Sequence, residues 1–308
     1  MKLTIMLFLS LIVQPAFARE FIIGGQEVNM HDPAQSSTVG IYSQAPNSKM
    51  GSLCTGTLIK DDIALTAAHC IPSGGVKPVV IFNPDLHAAN PTVERAEAVA
   101  VNPQWRANAG KGMDQGDIAL VKFGGGIPSG YQKATVAASD SAIKTGQTVT
   151  LAGYGINNAQ TKTGAGRLRK ADVKISDSRP GKTEMILDQT HGRGACHGDS
   201  GGPAYINKNG KMILAGVTNR GYPNSAPDDC AHKVVYTKVP AYRSWIQKNE
   251  KKLESESQRD VPMFDLRRKK ISHRNQMHAI KSQQSRRVAR TTPKVRRAAF
   301  RTVHRKYK

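Results

Sequence analysis

The chain has 308 residues, 39% of them hydrophobic and 22% charged, with a net charge of +22. That apolar content excludes a wholly disordered chain, and no stretch approaches the roughly 20 apolar residues that a membrane-spanning helix requires. The charge is uneven: from Lys251 onward 19 Lys and Arg face four acids, a net +15, so the basicity belongs to an appendage and says little about what the rest of the chain binds.

In chain order, the first predicted element is a targeting segment. Lys2 precedes a mainly apolar run of 11 residues, 3–13, which Pro15 breaks just before Ala16-Phe17-Ala18. A positive start, a short apolar stretch and a small-x-small site predict a signal peptide at residues 1–18 and a secreted or periplasmic protein. From residue 22 to about 246, short apolar runs alternate with turns rich in Gly, Asn, Pro and Asp. Residues 55–60, 79–82, 118–123, 148–152 and 212–217 are examples, and such runs predict an all-β sandwich or barrel. Pro240, followed by Ala241, Trp245, Ile246 and Leu253 at helical spacing, predicts one C-terminal helix.

Residues 253–308 change character. They are rich in Arg, Lys, Ser and Gln, and their only aromatics are Phe264, Phe300 and Tyr307. Too little apolar surface is available to offset ordering, so a disordered basic low-complexity tail is expected. Its clusters Arg267-Arg268-Lys269-Lys270, Arg286-Arg287 and Arg296-Arg297 are dense enough to attract a polyanion, such as anionic envelope lipid, nucleic acid or acidic polysaccharide.

Cys54, Cys70, Cys196 and Cys230 form an even set that an exported protein can oxidise. Spacing allows three connectivities; Cys54–Cys70 and Cys196–Cys230 are favoured because each closes a short to moderate loop. No pair has the close spacing of a zinc site, and Asn83 and Asp85 lack the acid series of a calcium loop, so no metal or cofactor is expected.

Three segments hold the parts that nucleophilic hydrolysis needs. Thr66-Ala67-Ala68-His69-Cys70 offers a base beside a cysteine that fixes its loop. Asp117-Ile118-Ala119-Leu120 puts an acid at the lip of an apolar strand. Gly198-Asp199-Ser200-Gly201-Gly202-Pro203 offers a serine on a glycine-rich turn. A glycine-flanked serine alone is a weak signal; the three segments together are specific.

These segments, in this order, resemble those of the trypsin/chymotrypsin family of serine peptidases. Ile22-Ile23-Gly24-Gly25 resembles that family's mature amino terminus, and Gly153-Tyr154-Gly155 resembles its Gly-Trp-Gly segment. The likeness spans residues 22 to about 250 and implies a peptidase domain at 22–252, built of two packed six-stranded antiparallel β-barrels with a C-terminal helix. It implies a monomer acting on polypeptide substrates, with Ser200 as nucleophile, His69 as base and then acid, and Asp117 orienting the imidazole. The N–H groups of Gly198 and Ser200 would form the oxyanion hole. Asp199 would pair with the α-ammonium created at Ile22 when a short propeptide, residues 19–21, is lost. Phe21 departs from the basic residue that commonly precedes this cut.

The resemblance also places the specificity pocket. Gly194 would be its floor, Gly221 one wall and Val234 an intrusion from the other side. An uncharged, shallow pocket implies elastase-like cleavage after small or medium apolar residues, with a chymotrypsin-like preference second. Two features depart from the family: Asn219-Arg220-Gly221 replaces Ser-Trp-Gly, and Asp228 and Asp229 bring acid near the pocket. The alternatives are trypsin-like cleavage after Arg or Lys, or a catalytically weak member that binds polyanions through its tail.

Overall fold

All five apolar runs singled out above fall on strands, with only Ile118 standing one residue ahead of its strand. That is expected where β-branched and apolar side chains fill a half-buried pleated surface. The structure, a computed structural model, describes residues 22–44, 48, 51–224 and 227–259. The expected signal peptide, the propeptide and the basic clusters of the tail lie outside the described residues.

A two-residue strand, β1 (Gln26–Glu27), comes first. Then β2 (Thr38–Ser43), β3 (Ser52–Lys60), β4 (Ile63–Thr66), β5 (Val79–Phe82), β6 (Thr92–Val101) and β7 (Ala119–Phe123) close into a barrel in the order β2-β3-β4-β7-β6-β5. After the short β8 (Thr135–Val136), six more strands follow: β9 (Thr148–Gly153), β10 (Arg169–Asp177), β11 (Glu184–Asp188), β12 (Pro203–Lys208), β13 (Lys211–Tyr222) and β14 (Lys233–Lys238). They pair in the order β10-β11-β14-β13-β12-β9, and pairing of β9 with β10 closes a second barrel. Every pairing within the barrels is antiparallel, while β1 and β8 add to β10 and β13. Closure leaves the barrel strands without free edges.

Each barrel has its own filling. Ile41, Leu58, Leu65, Phe82 and Phe123 are buried in the first, with Phe82 edge-on to Phe123 at 5.5 Å. Leu151, Ile175, Met185, Leu187 and Tyr236 are buried in the second. Two buried phenols tie one to the other. The Tyr205 hydroxyl bonds with Ser37 Oγ at 2.7 Å, and the Tyr154 hydroxyl donates to the Asn83 carbonyl at 3.0 Å. Both expected disulfides are present, Cys54–Cys70 and Cys196–Cys230.

Two helices complete the described chain. The short α1 (Pro103–Asn108) is capped by Asn102, whose side chain accepts from the Gln104 N–H at 3.2 Å, and Pro103 takes the first helical position. The expected C-terminal helix, α2 (Arg243–Arg259), starts later than Pro240, which lies in a 3₁₀ turn over Val239–Tyr242. It also ends later than expected. Leu253, placed at the start of the tail by composition, is 1% exposed and belongs to the larger apolar cluster, which includes residues of both barrels. It stands seven residues beyond the buried Ile246, two turns along the same helix face, so its burial follows from helical periodicity. The compact unit runs to Glu256. Among the described residues no helix is long and apolar enough to cross a membrane.

Leu253→Ala is therefore expected to lower the unfolding free energy by about 2–4 kcal/mol, as for a buried leucine elsewhere. Urea unfolding reads this directly, and a change below about 0.5 kcal/mol, typical of a surface site, would contradict the placement.

Candidate active site

Asp117 stands two residues ahead of the fully buried β7, and the 3₁₀ turn Ala68–Cys70 begins two residues after the end of its neighbour β4. Register pairs Thr66 with Ala119, which sets His69 against Asp117. The carboxylate is fully buried and holds the histidine at two points. Its Oδ2 lies 2.7 Å from His69 Nδ1, and its Oδ1 accepts the His69 backbone N–H at 2.9 Å. An acceptor at Nδ1 favours the tautomer with its proton there and leaves Nε2 as the basic nitrogen. The imidazole is 30% exposed, and the Trp105 ring on α1 lies beside it, centroids 6.1 Å apart. The Cys54–Cys70 bridge anchors the same turn.

Two consecutive tight turns lead into and carry Ser200, which lies in the second. Asp199 N–H donates to the Cys196 carbonyl at 3.0 Å and Gly202 N–H to the Asp199 carbonyl at 2.8 Å. Gly198 at φ +97° and Gly201 at φ +80° adopt the left-handed backbone that glycine tolerates. A Cβ on Gly201 would stand 2.1 Å from Thr66 Oγ1 and 2.9 Å from the Ala67 nitrogen, so this turn packs directly on the approach to His69. Thr55 reinforces it, donating its N–H to the Ser200 carbonyl at 2.8 Å and its hydroxyl to the Gly198 carbonyl at 2.9 Å. The peptide planes carrying the Gly198 and Ser200 N–H groups are pinned from their other ends. The His197 carbonyl accepts from Ile156 N–H and the Asp199 carbonyl from Gly202 N–H, each at 2.8 Å.

Asp199, beside the serine, is 2% exposed. Its Oδ1 accepts the Gly155 N–H and its Oδ2 the Cys196 N–H, both at 2.8 Å. Burial pushes its carboxyl up to about 6, against the opposing pull of those two N–H groups and of the Arg169 charge. The Gly153-Tyr154-Gly155 segment has its reason here: a Cβ on Gly153 would lie 2.1 Å from Asp199 Oδ1, and one on Gly155 2.5 Å from its Cγ. Ile22 is 1% exposed, and the Ile23 carbonyl accepts from Gly194 N–H at 2.9 Å, two residues before Cys196.

A cavity of about 480 Å³ opens beside Ser200, lined also by Ala195, Thr218, Gly221 and Val234. Gly221 and Val234, both on the lining, are direct cross-strand partners in the β13–β14 ladder. Gln189 lines the cavity beside Gly194, where a Cβ would stand 2.2 Å from Gln189 Cδ. Asp228 lies on the lining but is well exposed, paired with His197 at 2.7 Å, while Asp229 caps the Ala231 N–H.

The departure at Asn219-Arg220-Gly221 also finds its cause. Arg220 makes a two-point ion pair with the fully buried Glu184, Nη1 to Oε1 at 3.0 Å and Nη2 to Oε2 at 2.9 Å. Glu184 Oε1 also accepts from the Gln115 N–H and from Asn219 Nδ2, and Arg220 Nη2 donates to the Gly112 carbonyl. The loop leading to Asp117 is thereby tied to the strand that borders the cavity. Nothing in the spacing of motifs singles out Trp105, Glu184 or Gln189; the Arg220 departure is the one visible hint of an unassigned buried acid.

The family model described as Trypsin matches residues 22–246. A chymotrypsin of Phaedon cochleariae is 30% identical over 243 residues, covering 73% of this chain and 81% of that protein. Chymotrypsin-like elastase family member 1 of Canis lupus familiaris is 28% identical over 242 residues, covering 73% of this chain and 90% of that protein. A solved structure of HL collagenase superposes with a TM-score of 0.61 at 21% identity, over 74% of this chain and 98% of that one, a likeness of fold.

Asp199 generates a pH prediction. Its folded value of about 6 exceeds the ordinary 3.8, so the folded chain binds this proton more tightly than the unfolded one. Stability therefore declines as pH rises from about 4 to about 6, by at most about 1.4 kcal/mol for each pH unit crossed. In the chain still carrying residues ahead of Ile22, Asp199→Asn is expected to remove that decline in urea unfolding between pH 4 and 7. Identical slopes in the two proteins would contradict it.

Proposed function

The chain belongs to the trypsin family, and we propose that its form beginning at Ile22 is an exported serine endopeptidase that works through an acyl-enzyme. In this reading Ser200 Oγ attacks the scissile carbonyl carbon while its proton passes to His69 Nε2. Asp117 holds the imidazole by Nδ1 and stabilises the imidazolium. The oxyanion of the tetrahedral intermediate is received by the N–H groups of Gly198 and Ser200, where one donor is typically worth about 3–4 kcal/mol. His69 then gives its proton to the leaving amine, the C–N bond breaks, and the acyl group stays on Ser200. A water molecule, deprotonated by His69, releases it. The observation that carries this reading is the two-point hold of the fully buried Asp117 on His69, close by the pinned turn that bears Ser200.

Activation by a new amino terminus at Ile22 is the second part of the proposal. Asp199 is a buried carboxylate whose pKa burial has raised, a setting that an α-ammonium would relieve. The Ile22-Ile23 segment is already seated beside the Gly194-Ala195-Cys196 backbone that carries one of its donors. Export is supported by the signal-like leader and by the two disulfides. A preference for small or medium apolar residues is supported by Val234 on the lining and by Asp228, whose exposed carboxylate is engaged by His197.

Purified forms beginning at Arg19 and at Ile22 test the proposal together. The Ile22 form is expected to cleave chromogenic peptides at least about 100-fold faster, on the scale of the roughly 3–5 kcal/mol at stake in a buried pair. Ser200→Ala should lower that rate by about 10⁴-fold or more. Equal turnover by the two forms would refute the activation step, and full activity of Ser200→Ala would refute the nucleophile.

A further inference from the structure

We propose that Gln189 is the residue that closes the specificity pocket and sets the size and charge of the side chain it admits, an inference that rests on the peptidase reading above. The carboxamide stands where a side chain at position 194 would project: a Cβ added to Gly194 would lie 2.2 Å from Gln189 Cδ and 2.4 Å from its Cγ. Gln189 is itself 2% exposed and contributes to the cavity lining beside Ser200. A glycine expected to form the floor is therefore covered by a residue five positions earlier in the chain.

That cover is neutral, and both ends of its amide are held by hydrogen bonds. Gln189 Oε1 accepts the Ala195 N–H at 2.6 Å, and Nε2 donates to the Ala195 carbonyl at 3.1 Å and to the Cys230 carbonyl at 3.0 Å. The amide bridges the two backbone segments that the Cys196–Cys230 disulfide also joins, so it cannot swing aside without breaking three hydrogen bonds. A Lys or Arg entering the cavity meets no counter-charge at this floor, and burying an unpaired cation is costly. A large ring meets occupied space, and forcing it in costs packing. Small or medium apolar side chains, stopped by Gln189 and flanked by Val234, fit both constraints.

The test uses the mature chain beginning at Ile22 and peptides that differ only in the residue before the cut. The wild-type protein is expected to favour Ala or Val over Phe, and Gln189→Ala to raise the Phe-to-Ala ratio of kcat/KM by about 10-fold or more, the scale of a changed methylene-sized pocket contact. Gln189→Asn keeps the amide, withdraws it by one methylene, and should shift the ratio in the same direction if the alanine variant fails to fold. A faster wild-type rate after Phe or Arg than after Ala overturns the proposal without any variant. So does an unchanged ratio in a folded Gln189 variant that still reacts with an active-site phosphonate at Ser200, and that result leaves the catalytic reading intact. Failure of the wild-type chain to react with the phosphonate at all would instead remove the peptidase reading on which the proposal stands.

Discussion

A carboxylate with no exposure must find its donors inside the protein, and Asp117 finds two of them on a single residue, His69. That requirement organises the cleft. The backbone N–H contact fixes where the 3₁₀ turn sits, and the Nδ1 contact fixes how the ring is rotated and which nitrogen remains basic. Residues from the second barrel then hold the arrangement in place: Thr237 on β14 donates its hydroxyl to the Asp117 carbonyl at 3.0 Å, and Glu184 on β11 accepts the Gln115 N–H two residues upstream.

Asp199 obeys the same rule with a different outcome. It too is buried, but its donors are two backbone N–H groups, and its pKa is raised to about 6 rather than secured by a cation in direct contact. In the proposed reading, the contrast separates a carboxylate already paired with the base from one that gains its partner on activation. Its donors come from Gly155 and Cys196, and its own backbone closes the turn that presents Ser200, so whatever Asp199 binds is felt by the N–H groups proposed as the oxyanion hole. In the proposed mechanism the two features divide the labour, orientation of the base on one side and readiness of the oxyanion-binding site on the other.

Much of this is legible in the sequence where local chemistry is strict. The glycines of the 198–203 turn and of Gly153-Tyr154-Gly155 stand where a Cβ would collide with backbone or carboxylate, so motif and geometry coincide. Strand runs are legible because period and β-branching are local properties, and the disulfides because short loops favour them. The pocket is less legible. The family resemblance implies Gly194 at the floor, yet the space above it is filled by Gln189, brought there by a loop whose path no spacing encodes. Gly221 and Val234 are neighbours through ladder register, a long-range property. Composition ends the compact unit too early because it changes gradually along α2, while Leu253 still reaches the core through helical periodicity.

The central claim is that Ser200, served by His69 and Asp117, forms a covalent acyl intermediate in the Ile22 form. Rapid quenching of that form with a slowly released ester substrate, followed by intact-mass and peptide-level mass spectrometry, observes the intermediate itself. The predicted result is a mass increment equal to the acyl group, located on the peptide containing Ser200 and abolished by His69→Ala. An increment on another residue, or turnover of the ester with no increment on Ser200 at any quench time, would contradict it.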